Sequence, residues 1–366
     1  MLPIEIEFDE IFKKKGGRYN NRNSDSTIYS WILLNSRILV TWMARSNVHL
    51  PEPYIDIVDN NETNAYVTKR GDKYFLGITY GTIRVFNDVF YRMMESKNIL
   101  TEIGDPERKM DTDKIFSLKL TSMGQLAIPE QDSENSVPID NVRILFGFQL
   151  IKMAFEFLVW HELAHIIYGH VDYVHSVLGS FVELKEREEY RKQLDPLVSQ
   201  TLEMDADCFA AQQSIAVLEM LISNPDALTP ALRPYFNTWS SVFKMWTFST
   251  YTFFRLFADH NHAAGIRNAF HPPPSLRSYL VQAVAEAVIR GANDAPSSED
   301  ISIIRKDTIL AVEWAFHEIS QKGLDFSHLS FSIQDDIFSH GIFLMNNSKN
   351  VRPLLQPFTL MPLDLE

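Results

Sequence analysis

Residues 145–167 read LFGFQLIKMAFEFLVWHELAHII, and the end of that run decides what kind of protein this is. Leu150, Met153, Phe157, Trp160, Ala164 and Ile167 recur every three or four residues, the apolar stripe of a helix that faces a core. Ala154, Leu158, His161 and His165 form a neighbouring stripe of mixed polarity. Positions four apart stack on one helix face, so His161 and His165 can aim two imidazole nitrogens at one point. Zn²⁺ accepts such nitrogens at roughly 2.0–2.1 Å. Glu162 is rotated from His161 by about 100°, which puts it beside such a metal and not on it. That is where the general base for a water nucleophile belongs.

A catalytic zinc site takes three protein ligands and keeps a fourth position open. In one known pattern a Gly and a third His follow the second His by three and six residues. Here those positions are Tyr168 and Val171, and the nearby Gly169-His170 is out of register. His170 reads as a helix-end residue. The better candidate lies downstream, where Asp195-Pro196 has the form of an N-cap and a first-turn proline. A helix is predicted from residue 196 to about Ser223, stopped by Asn224-Pro225. Glu203 and Asp207 share one face of it, backed by the small residues Ala210, Ala211 and Ser214. Glu203 completes a set of two His and one Glu, and Asp207 is placed to accept the free N–H of a ligand imidazole. The competing description is a solvated acidic helix face, which the small, apolar Ala206-Asp207-Cys208-Phe209-Ala210-Ala211 surroundings disfavour.

His161-Glu162-x-x-His165 followed by Glu203-x-x-Ala206-Asp207 resembles the gluzincin metallopeptidases, in particular the branch whose third ligand is written Glu-x-x-Ala-Asp. His271-Pro272-Pro273-Pro274-Ser275-Leu276-Arg277 is similar to a His-Pro segment with a nearby Arg that such enzymes carry close to the active site. By that resemblance His271 and Arg277 become candidates for stabilising the oxyanion, with Tyr168 behind them. The same prolines also describe a stiff turn before a helix, and both descriptions stand. Tyr54-Ile55-Asp56-Ile57, Asn64-Ala65-Tyr66 and Tyr74-Phe75-Leu76-Gly77-Ile78 resemble the small sheet of these enzymes, whose edge strand holds an extended substrate. Chain length and motif position further resemble the phage-exclusion (Lit-type) peptidases, soluble gluzincins that cleave a translation elongation factor in infected bacteria. The resemblance implies an α+β, mostly helical, zincin-like fold with a small N-terminal β-sheet and an active-site helix.

Composition is consistent with an enzyme of that kind. The chain has 366 residues with 25 Phe, 13 Tyr and 6 Trp, enough apolar area for one large or two modest cores. A single cysteine, Cys208, excludes an intrachain disulfide framework and suits a reducing, cytoplasmic compartment. It reads as a small buried helix residue, not a nucleophile. The start, MLPIEIEFDEIFKKKGG, lacks the apolar run of a secretory signal. A formal charge of −13 opposes non-specific nucleic-acid binding, and the KKK run at 13–15 with Arg18 and Arg22 reads as a solvated patch. The aromatic stretch at 235–258 is interrupted by Lys244, Arg255 and many hydroxyls. It therefore reads as a buried helix, with membrane-surface contact as the lesser alternative and no transmembrane span.

Three regions are expected. Residues 1–141 hold a helix at 26–47, a strand hairpin at about 53–79, a helix near 82–97 and an irregular segment with a short strand near Phe116. Residues 142–290 form the helical core, including a charged helix around residues 183–192 and a helix from Pro274 to Arg290. Residues 291–366 form a helical extension at about 301–322 and a tail from Asn347 without periodic signal. The function expected is a zinc-dependent endopeptidase acting on a protein or peptide substrate. Two alternatives carry other chemistry: a catalytically silent metal-binding interaction protein, and a regulatory peptidase that cleaves a repressor. Glu162 counts against the first, because holding zinc does not require that carboxylate.

Overall fold

Thr79, Asp140 and Asp195 begin the helices that matter here. Each carries a side-chain oxygen that accepts a backbone N–H one turn into the helix, from Thr82, Arg143 and Leu197 respectively. The protein is described from a computed structural model covering residues 2–20, 26–46, 50–108, 119–120, 126–127, 140–178, 194–257, 269, 271–320 and 331–361. In chain order the elements are α1 (Pro3–Ile11), α2 (Ser26–Ser46), β1 (Tyr54–Val58), β2 (Ala65–Arg70), β3 (Lys73–Thr79) and α3 (Tyr80–Glu95). After two short strands, β4 (Lys119–Leu120) and β5 (Leu126–Ala127), come α4 (Asn141–Ile167), α5 (His170–Leu178) and α6 (Pro196–Ser223). The chain continues with α7 (Trp239–Phe257), α8 (Pro274–Ile289), α9 (Ser298–Ser320) and α10 (Phe331–Leu355). The architecture is mostly helical with one small three-stranded sheet.

α4 is the axis of the molecule. Every residue from Met153 to Ile167 is buried, so the helix is enclosed on all sides instead of showing a single core-facing stripe. α2, α3, α6 and α7 all pack on it, and one apolar core runs continuously from Ile32 to Ile319. α7 is the aromatic stretch that reads as a buried helix, and it is buried. Its hydroxyls turn inward: Thr250 and Thr252 donate to the carbonyls of Trp246 and Phe248, and Ser249 donates to Leu150 of α4 at 2.7 Å. Among the described residues no helix is long and apolar enough to cross a membrane.

The sheet departs from a plain hairpin. Its order is β1-β3-β2; β2 and β3 form the hairpin, while β1 pairs with β3 in parallel, Tyr54 opposite Phe75. The crossover between β1 and β2 is pinned by the Thr79 and Thr82 hydroxyls, each donating to the Asn64 carbonyl at 2.8 Å. It also runs so close to α3 that a Cβ on Gly81 would sit 2.1 Å from the Asn61 carbonyl oxygen.

Two other expectations are corrected. The lysine run is not a solvated patch throughout. Lys15 and Arg18 are buried, with the Lys15 ammonium over the Tyr66 ring and Arg18 paired to Glu5 at 2.9 Å and Asp9 at 3.4 Å. The acidic helix α1 supplies those partners, and its Phe8, with Phe12 just beyond its end, packs under the sheet against Val58, Tyr66 and Phe75. Arg22 lies outside the described residues. The tail from Asn347 is helical as far as Leu355, where Val351 and Leu355 pack against Val174, Leu194 and Leu202. Pro353 inside the last turn hides the pattern in the sequence. The chain then returns to the end of α4, where the Leu360 N–H donates to the Ile167 carbonyl at 2.8 Å. The charged segment around 183–192 and the strand start at Phe116 lie outside the described residues, although Lys119 and Leu120 pair with Ala127 and Leu126.

Candidate metal centre

Two long helices, α4 and α6, bring the site together. On α4, His161 and His165 are one turn apart and 1% and 2% exposed; on α6, Glu203 is 2% exposed and faces them. The His161 Nε2 and His165 Nε2 atoms stand 3.2 Å apart. Glu203 places Oε2 3.6 Å from the first and Oε1 3.7 Å from the second. A tetrahedral ion with bonds of roughly 2.0–2.1 Å holds its ligand atoms about 3.3 Å apart. The three separations therefore fit one ion, and these residues form a buried group able to bind a metal. The donor set, two imidazoles and a carboxylate, is one that zinc uses when a fourth position is left for chemistry.

The far nitrogen of each imidazole is also held. His161 Nδ1 lies 2.9 Å from Asp207 Oδ1, one turn beyond Glu203 on α6. Asp207 is in turn gripped by Arg277 of α8, whose Nε and Nη2 donate to its two oxygens at 2.7 and 2.8 Å. His165 Nδ1 lies 2.9 Å from the Nδ1 of His170, the first residue of α5. With Nε2 of each ring aimed at the shared point, Nδ1 carries the proton. Holding the ring this way orients the ligand and sets its tautomer.

The structure places the other sequence-predicted residues as follows. Glu162 lies beside His161 on α4 and is 2% exposed. His271 comes in from the turn before α8 and puts Nδ1 3.4 Å from Glu203 Oε2, with a third of its side chain exposed. Arg277 is buried, with Nη2 3.7 Å from Glu203 Oε2. Cys208 packs half-buried near Met204 and Leu276, outside the ligand group, and burial pushes its thiol up. Sequence reasoning missed three residues. His170 is fully buried against a ligand histidine instead of merely ending a helix. Gln200, one turn before Glu203, donates to the Ala269 carbonyl at 2.6 Å and meets His340 Nε2 at 2.7 Å, which ties the His271 turn to α6 and α10. The Gln200 and His340 contacts join segments far apart in the chain and leave no local pattern, whereas His170 follows His165 by five residues across the turn at Gly169.

Electrostatics hold the acids in their charged forms. Burial alone raises Glu203, but the imidazoles of His271, His165 and His161 outweigh it and keep the carboxyl well below the ordinary range. Burial likewise opposes ionisation of Asp207, and Arg277 together with His161 reverses the sign. Burial also lowers His170, to about 3, so it stays neutral. The Asp207 carboxyl has a lower pKa folded than unfolded. Its contribution to stability is therefore present above the ordinary aspartate value of about 3.9 and fades as pH falls through the folded value. We expect the thermal midpoint of chelator-treated protein to drop on acidification below about pH 4. An Asp207→Asn/Arg277→Met variant should show a shallower drop in the same scan; parallel curves would refute the assignment.

Comparison of the chain with known protein families, with characterised proteins and with solved structures finds no match.

Proposed function

We propose that this protein is a zinc-dependent endopeptidase of gluzincin type, with a zincin-like arrangement of its edge strand and active-site helix. One observation carries the proposal: two imidazoles and a carboxylate converge in a buried cluster, and an acidic residue adjoins the first ligand on the same helix turn. His161, His165 and Glu203 would hold the ion. Bound zinc polarises a carbonyl and acidifies water to a pKa of about 7. Glu162 accepts the proton of the attacking water and returns it to the departing amine. Both proton transfers need a carboxylate that is ionised at rest yet shielded from bulk water.

His271 is the donor assigned to the developing oxyanion, because it stands at the mouth of the site with part of its ring exposed. Arg277 suits that task less well, since its Nε and Nη2 are committed to Asp207. Its charge instead compensates the acids around the metal. The substrate is assigned to the side of β2, the sheet-edge strand that packs on α4 and α5.

Glu203→Gln tests the ligand set directly. The amide is nearly isosteric but neutral and a poorer metal donor. Zinc affinity, read by competition with a chromophoric chelator, should fall by more than the roughly 10–100-fold typical of losing an outer partner. Unchanged affinity would remove Glu203 from the site.

A further inference from the structure

We propose that His170 is the positioning residue of the second metal ligand, accepting the Nδ1–H of His165 and so holding that ring's Nε2 toward the ion. This rests on the metal-site reading above and adds to it the partner that the second imidazole needs.

The turn that makes the contact is built for it. α4 ends at Ile167, and Gly169 follows in the left-handed region with φ +73°. A Cβ there would lie 2.5 Å from the backbone carbon of Phe358, so a side chain is refused on conformation and on space. The reversal starts α5 at once and folds His170 back over the end of α4. Its ring meets that of His165 with centroids 5.1 Å apart and planes at 66°, and Tyr168 flanks it at 5.9 Å. His170 is completely buried, and its Nδ1 meets the Nδ1 of His165 at 2.9 Å.

Chemistry settles the direction of the bond. Two neutral imidazoles facing nitrogen to nitrogen share one proton, so one ring donates and the other accepts. A proton on His165 Nδ1 leaves its Nε2 lone pair for the metal, whereas the reverse assignment would block it. His170 then carries its own proton on Nε2. The two ligands are thus held differently. His161 is held by the carboxylate of Asp207, whose charge Arg277 balances, and His165 by a neutral ring. Glu162, Glu203 and Asp207 are already buried in this region with one buried arginine, so a neutral acceptor holds the second ligand without a fourth buried negative charge.

The test compares His170→Phe, which keeps a flat ring but cannot accept, with His170→Asn, whose Oδ1 can take the place of Nδ1. Zinc dissociation constants are measured by chelator competition on full-length protein, and the cobalt(II) form is followed by its visible absorption. His170→Phe should bind zinc about 10–100-fold more weakly and shift the cobalt bands, while His170→Asn should recover most of the affinity. If the phenylalanine variant does not fold, His170→Ala against His170→Asn provides the same contrast. Equal affinity in wild type and the non-accepting variant overturns the proposal, as does an equal loss in both variants. Binding of two zinc ions by wild type, with the second lost in both variants, also overturns it, because His170 would then be a ligand. Failure of wild type to bind zinc at all would instead sink the underlying metal-site reading.

Discussion

Glu162→Gln is expected to leave one equivalent of zinc in place and to slow peptide hydrolysis by roughly 10²–10⁴-fold, the usual contribution of a positioned general base. The substitution keeps the shape of a side chain that is 2% exposed, so packing should hold. It removes only the ability to take a proton from water at neutral pH. Metal content and turnover are the two readings needed, made on the same preparation with a protein or casein-derived peptide mixture. Full metal with lost turnover supports the general base. Loss of metal together with turnover would make Glu162 a ligand, and turnover within a few-fold of wild type would end the catalytic proposal. A wild type that holds zinc but cleaves nothing would favour a metal-binding interaction protein.

The second large effect lies near the start of the same helix, at Arg143. The Arg143 guanidinium is 1% exposed and donates to five backbone carbonyls: Met94 at 2.6 Å, Ser96 and Ile99 at 2.9 Å, Leu100 at 3.0 Å and Ile103 at 2.8 Å. The loop after α3 is wound around that one side chain, and Leu100 within it adopts φ +47°, a conformation a leucine rarely takes. Each carbonyl left without a donor in the interior costs roughly 1–3 kcal/mol, less where water can enter. Arg143→Met should therefore lose at least about 3 kcal/mol, a large share of the 5–15 kcal/mol typical of a folded protein. Urea unfolding measures it directly. Arg143→Lys, with one ammonium in place of a fork, should fall between, because three donors on one atom cannot reach five divergent acceptors. A midpoint for Arg143→Met within error of wild type would show that the loop holds itself.

These two residues differ in how far they can be read from a sequence. Glu162 is legible because its partners are three residues or fewer away on a single helix, and helix geometry turns that spacing directly into direction. Arg143 is illegible for the opposite reason. Its acceptors are backbone carbonyls, which every residue has, and they lie some 40 to 50 positions upstream. The same contrast runs through the fold. The start of α6 at Pro196 follows from Asp195 and the proline, both local signals. The parallel pairing of β1 with β3, the burial of Lys15 and Arg18, and the helical end of α10 do not, since each depends on which distant surface arrives to cover it.

What the amino-acid order determined by itself is the pair of helical rows: His161, Glu162 and His165 on one rod, Glu203 and Asp207 on another. Covalent spacing and 3.6 residues per turn leave little freedom within a rod. The tertiary structure decided how the rods are turned toward each other, so that Nε2, Nε2 and a carboxylate oxygen meet within 4.8 Å. It also decided that Arg277 grips Asp207 and that His271 faces Glu203. The C-terminal segment at Phe358 packs against the fold-back at Gly169, which lays His170 against His165. The choice of contact between rods is made by the whole core around α4, where burial of apolar surface selects one packing of helices that local spacing alone leaves open.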